Sequence, residues 1–280
     1  TQEITWGIKN ILSALHFLHT QASIGHGYLG LQAIFVTPNG DWKLGSFDLA
    51  CNVTNYDDET FFKRYNSFCN SIFMSPERSN IDRGDIIFRK AFGVIDVYSL
   101  AKCIDEIYSV LSIRVPSQFD KYTNKMKSIE FLKRPSCKQL MTCQLFNSEY
   151  IKLMESLGTG NGAGAGSTLN DSLNCIQQIA QSLDDIPPFL CVYKVLPVIS
   201  TALNVCLREF QQRDSREFCR KCITLALNLL AHMVELNKFQ EKEFIEKVLP
   251  SLVALWTMSD RTVRTALLHT RKEVSLSVLC

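Results

Sequence analysis

No glycine-rich phosphate loop occurs in these 280 residues. The one glycine-dense run, GTGNGAGAGS over 158–167, has no apolar strand before it. It also lacks a fingerprint acid after it, so it reads as a flexible linker rather than a dinucleotide-binding turn. Charge of one sign is lacking too. Thirty Lys and Arg against 28 Asp and Glu leave +2, which gives no whole-chain case for nucleic acid or an anionic membrane. No apolar run approaches the ~18 residues of a bilayer span, so a transmembrane segment is not expected and membrane association would be peripheral. The opening TQEITWGIKN lacks the basic and apolar regions of a secretory signal. Cysteine is plentiful, at 11, but a second pair that could complete a zinc site with Cys219-x-x-Cys222 is missing. Cysteines within helical patterns, such as Cys103, Cys175 and Cys206, read as buried reduced thiols of a cytosolic protein. No metal ligand set or cofactor site is assigned.

What is present is apolar periodicity: 46% of the residues are hydrophobic, enough for sizeable cores. Ile4, Ile8, Ile11, Leu12, Leu15 and Leu18 recur at helical spacing. His16 and His19 fall near that helix's end, where a cation suits the dipole; with no recognisable acidic partner they read as cap or surface residues. Ile34-Phe35-Val36 and Trp42-Lys43-Leu44 read as two short strands, because Thr37-Pro38-Asn39-Gly40 between them is turn chemistry.

A protein kinase places its catalytic loop before such a hairpin and its magnesium aspartate just after it. The stretch IGHGYLGLQAIFV…DWKLGSFDLA resembles that region of the Scy-like pseudokinases. Where a kinase has His-Arg-Asp, this chain has His26-Gly27-Tyr28, so Tyr28 stands for the catalytic base. Gly30 takes the place of the loop lysine and Ala33 that of the magnesium-binding asparagine. Ser46-Phe47-Asp48 replaces Asp-Phe-Gly. Phosphoryl transfer needs anionic oxygens to hold magnesium and a base for the substrate proton. A phenol with pKa ~10, a methyl group and a hydroxyl supply neither. Asp48 as a substitute metal ligand would sit two residues late. No catalytic residue is assigned, and the chain is expected not to be an enzyme.

The resemblance extends to structural motifs. Met74-Ser75-Pro76-Glu77 matches the end of a kinase activation segment, and Asp96-Val97-Tyr98-Ser99-Leu100 the start of the buried αF helix. Arg134-Pro135 matches the arginine before the last lobe helices. It implies that Glu77 pairs with Arg134 and that Asp96 bonds the catalytic-loop backbone, both structural roles. Met-Ser-Pro-Glu and the cysteine after the Ser-Phe-Asp triplet lean towards the ezrin-binding branch. Between Ser46 and Glu77, Asn55–Glu59 is acidic, while Lys63, Arg64 and Tyr65 with Phe61, Phe62 and Phe68 form a basic and aromatic stretch. It reads as part of a folded activation segment rather than a ligand patch.

From residue 170 the pattern is helical throughout. Asp171 is a candidate cap, and Asp184 to Pro188 a stop. Lys194-Val-Leu-Pro197 recurs as Lys247-Val-Leu-Pro250, and Ser259 to Arg264 resembles the opening of a HEAT-repeat helix. Helix pairs that cannot bury their faces alone stack into a solenoid. Arg208, Arg213, Arg216, Arg220, Lys221, Arg261, Arg264, Arg271 and Lys272 read as solvated faces. The expected fold is therefore mainly α. A kinase-like C-lobe of helices and a small hairpin spans 1–146, a helix end and linker 147–169, and a HEAT-repeat solenoid 170–280. The chain reads as a fragment lacking the N-lobe, with further repeats to follow. The resemblance implies a non-catalytic, cytoplasmic scaffold, also on Golgi or endosomal membranes, that binds coat or adaptor proteins through its solenoid. A divergent weak kinase and a tRNA-export adaptor are the alternatives.

Overall fold

The computed structural model describes residues 2–52, 64–78, 85–158 and 169–278, with the side chains of 66, 85–92, 213 and 271–278 excepted. The expected linker at 159–168, most of the acidic and aromatic stretch (53–63), and the side chains of Arg213, Arg271 and Lys272 lie outside those residues. The chain is mainly α and divides into two compact units, 1–151 and 152–280.

In the first unit the apolar stripe folds as α1 (Gln2–Phe17), with Ile8, Ile11, Leu12 and Leu15 buried at four positions of one face. Each such side chain removed from water contributes about 1.5–3 kcal/mol before entropy is charged against it. The helix widens into a π-helical turn at Leu18–Ala22. It stops at Ser23, whose left-handed backbone (φ 56°) returns its N–H to the Leu18 carbonyl. Strand β1 (Ile24–Gly25) follows, then β2 (Ile34–Val36), β3 (Trp42–Leu44) and β4 (Cys51–Asn52). β2 and β3 pair antiparallel, Ile34 opposite Leu44 and Val36 opposite Trp42, while β1 pairs with β4.

The hairpin closes because Gly40 takes φ 77° and donates to the Thr37 carbonyl at 2.9 Å, while Thr37 N–H donates to Asp41 at 2.9 Å. Its Trp42 ring lies directly on Gly7 of α1; a Cβ at Gly7 would stand 2.0 Å from that ring. The long helix α2 (Asp85–Val110) supplies Leu100, Ala101 and Ile104 to the same core. Phe119 and Met126 come from α3 (Ser117–Met126), and Leu140 from the short α4 (Cys137–Met141). Helix α5 (Glu149–Gly158) begins at the end of this unit and lies mostly in the second.

The second unit contains α6 (Leu169–Ser182), α7 (Pro188–Glu209), α8 (Arg216–Glu235), α9 (Glu241–Lys247), α10 (Leu249–Trp256) and α11 (Arg261–Val278). α8 packs against α6, α7 and α11, while α7 packs against α6 and α10, as in a stack of helical pairs. The repeated Lys-Val-Leu-Pro phrase resolves differently in its two copies. Ahead of Pro197, α7 loosens into a π-helical turn over Cys191–Val195; ahead of Pro250 the helix breaks at Val248 (φ −120°). Proline removes a helical hydrogen bond and crowds the preceding turn, so both outcomes have one cause.

Two sequence expectations need correction here. Asp171 is not an N-cap, because α6 begins at Leu169; it lies in the first turn, where the helix dipole favours a carboxylate. The apolar span of Pro188–Glu209 is long and apolar enough to cross a membrane by length and composition, contrary to the expectation that no segment is. Its 61% burial inside the protein and its contacts with α6, α8 and α10 are those of a core helix.

Candidate functional site

The site is built on Asp96, in the middle of α2, which lies beneath the loop that follows β1. Asp96 is 1% exposed. Its Oδ2 accepts from the His26 N–H at 2.8 Å, and its Oδ1 from the Gly27 N–H at 2.9 Å. Two consecutive amides converge on one carboxylate because Gly27 has φ 71°, a conformation that glycine alone adopts cheaply. A third donor, His19 Nε2, reaches Oδ2 at 2.9 Å. Burial alone would push the Asp96 carboxyl up. The hydrogen bond and charge of His19, with the His26 N–H, outweigh burial and hold it below the usual carboxylate range. The reading of His19 as a surface residue without an acid is therefore wrong. Its partner lies 77 positions away, and its Nδ1 faces the Cys137 sulfur at 3.8 Å.

His26 is fully buried and is held at both ring nitrogens. Nε2 donates to the Gly45 carbonyl at 2.8 Å, and Nδ1 accepts from the Tyr28 N–H at 3.2 Å. A carbonyl only accepts and an amide only donates, so these partners assign the neutral Nε2–H tautomer. The imidazole thus ties the first loop to the strand end before Ser46, and Phe47 covers it with ring centroids 5.0 Å apart.

The remaining candidate positions are distributed around this knot. Tyr28 is half-buried, and Gly30 starts the 3-10 turn Leu31–Ala33 in extended backbone. Ala33 is fully buried and belongs to the α1–α2 core; its carbonyl accepts from the Gly45 N–H at 2.9 Å. Ser46 sits in left-handed backbone (φ 56°), and Asp48 is exposed on the short turn Phe47–Leu49. Among the described residues no group of three or more His, Cys, Asp or Glu is arranged to hold a metal ion.

Glu77 and Arg134 meet as a buried pair. Arg134 Nη2 donates to Glu77 Oε2 at 2.7 Å, and Nη1 bonds Oε1 and the Val94 carbonyl, the latter at 3.1 Å. Nε donates to the Ser128 carbonyl at 2.9 Å, and the Tyr98 ring covers the guanidinium at 4.8 Å. Arg78, the residue after Glu77, was not foreseen, because no local pattern marks it. It is 2% exposed, and its Nη2 donates to the Cys69 sulfur at 2.9 Å. Burial lowers its pKa, opposed by Cys69 and by the Asp96 and Cys51 charges. Tyr28, Gln32, Cys69 and Arg78 line a cavity of about 10 Å³, large enough for a water molecule and too small for a nucleotide.

In the second unit several arginines read as solvated are engaged. Arg220 donates to Asp260 Oδ2 from Nε at 2.9 Å and Nη2 at 2.8 Å, while Asp260 Oδ1 accepts from the Val263 N–H at 3.1 Å and so caps α11. Arg216 and Arg264 donate to the Phe210 and Met258 carbonyls. Cys219 and Cys222 both point inward and are fully buried.

No protein-family profile matches the chain. It does align with the probable inactive serine/threonine-protein kinase scy1 of Dictyostelium discoideum, 21% identical over 279 residues, 95% of this chain and 31% of that protein. The chain is thus similar, over nearly its whole length, to a protein named as an inactive kinase of the Scy type. A mouse protein, the protein-associating with the carboxyl-terminal domain of ezrin, is 29% identical over 164 residues, 55% of this chain and 22% of that protein. The chain spans less than a third of the length of these curated relatives. Its fold is similar to the crystal structure of Cex1p, with TM-score 0.51 and 13% identity, covering 99% of this chain and 56% of that one.

Proposed function

We propose that the chain is part of a catalytically silent, kinase-derived scaffold whose helical second unit binds other proteins. One observation carries this reading: two consecutive amides of the loop are bonded to the buried Asp96, yet the loop carries no carboxylate. Ala33 puts a methyl in the core where the resemblance calls for a magnesium ligand, and Ser46 stands where it calls for a metal-binding aspartate. Three hydrogen bonds to Asp96 and the buried Glu77–Arg134 pair serve architecture. The similarity to a protein named as an inactive kinase, and to one named for association with ezrin, supports a role in assembling proteins. Within that role we place the chain in vesicle traffic, in the cytoplasm and on Golgi or endosomal membranes.

A thermal-shift titration with ATP and magnesium tests the silent site. The reading expects no shift. A magnesium-dependent shift that Asp48→Ala abolishes would instead favour a divergent kinase.

A further inference from the structure

Between α8 and α11 runs an open groove of about 430 Å³. Thr224 and Asn228 line it from α8, one helical turn apart. Arg261, Thr265, Ala266 and His269 line it from α11, at positions of a single face. Val263, Leu267 and Thr270 point the other way and are buried, so this face of α11 is free of core duty. Ala266 keeps the floor low. The lining contains two basic side chains and no carboxylate. Two flanking acids among the described residues are already committed: Asp260 to Arg220 and the Val263 N–H, and Glu217 to Arg220 at 3.5 Å and Lys221 at 3.9 Å.

From these features we infer that the groove receives an extended peptide segment bearing acidic side chains. The inference rests on the scaffold reading and names the chemistry of its partner. A peptide strand needs alternating donors and acceptors from its host, and exposed Asn228 offers both from one amide. The Thr265 hydroxyl donates to the Arg261 carbonyl at 2.9 Å, which leaves its lone pairs to accept a peptide N–H. Arg261 and His269, two turns apart on α11, are spaced to take carboxylates from separate residues of the strand; Arg261 has the planar fork that carboxylates match. The volume lies within the range of specific small-ligand sites, and the length of the face suits a strand better than a compact metabolite.

The test is fluorescence anisotropy with the whole 280-residue protein. The probe is a labelled dodecapeptide of alternating Glu and Ser. Its comparators are the Gln-for-Glu peptide and a 12-nucleotide single-stranded RNA. The acidic peptide is expected to bind, and the Gln peptide at least tenfold more weakly. Arg261→Ala with His269→Ala should weaken binding at least fivefold with unchanged circular dichroism, and Asn228→Ala about threefold. Lys242→Ala, on α9, should change nothing. Equal binding of the two peptides, no binding of either, insensitivity to the groove variants, or tighter binding of the RNA through the same residues would each overturn the proposal. None of these results bears on nucleotide binding by the first unit, so the scaffold reading stands or falls separately.

Discussion

His19 Nε2 lies 2.9 Å from Asp96 Oδ2, joining the end of α1 to the middle of α2 beneath a loop that holds no catalytic carboxylate. The same oxygen also takes the His26 N–H at 2.8 Å. Asp96 is thus the point on which α1, α2 and the loop agree.

Asp96→Asn should destabilise the protein by about 3 kcal/mol, because an amide group would turn a donor towards amide donors already aimed at the carboxylate. The pH dependence has a definite sign. The folded carboxyl is held below its ordinary value, so its contribution is present above the unfolded pKa of about 4 and is lost as pH falls through the depressed native value. Urea melts from pH 7 down to pH 3 check this: the gap between wild type and Asp96→Asn should narrow with acidification. A gap that widens would show that the carboxylate is not the stabilising species.

Removing one partner of the Glu77–Arg134 pair leaves a buried charge alone. Glu77→Gln and Arg134→Met should each cost on the order of 3 kcal/mol, and the double variant clearly less than their sum. Arg134 also donates to the carbonyls of Ser128 and Val94, so the double variant does not return to wild type. Chemical denaturation of the four proteins measures the coupling.

Gly7 admits the Trp42 ring onto α1, and any side chain there collides with it. Gly7→Ala should cost about 1–3 kcal/mol despite alanine's better helix propensity, and should alter the near-ultraviolet tryptophan signal. A stabilised Gly7→Ala protein would mean that the hairpin does not dock on α1.

Burial pushes the thiols of Cys103 and Cys137 up to about 12. At pH 8 both should alkylate more slowly than an exposed cysteine, by on the order of a thousandfold, and react only on unfolding. Mass spectrometry after brief iodoacetamide treatment reads each site.

Much of this fold was legible in the sequence where one element's own periodicity decides burial. Ile4 to Leu15 repeat at helical spacing, and α1 buries that face. Thr37 to Gly40 carry turn chemistry that needs no distant partner. Legibility ended where a residue's environment comes from far along the chain. His19 shows no acid nearby in sequence because its acid is 77 residues on, and Arg220, still 38% exposed, meets an unforeseen acid because Asp260 is 40 residues on. Arg78 is a third case: a buried arginine beside a thiol leaves no local pattern. In the second unit, Pro188–Glu209 has no uninterrupted apolar run, since Lys194 and the prolines divide it; folding joins the pieces into one helix.

We propose that the Asp96-anchored loop is architecture without phosphoryl-transfer chemistry. The most direct measurement is transfer of the γ-phosphate of radiolabelled ATP, with magnesium, by the purified protein to itself and to a generic protein substrate. The expected rate equals the protein-free background, and Asp48→Ala and Tyr28→Phe leave it unchanged. Magnesium-dependent transfer above background that either substitution removes would contradict the account.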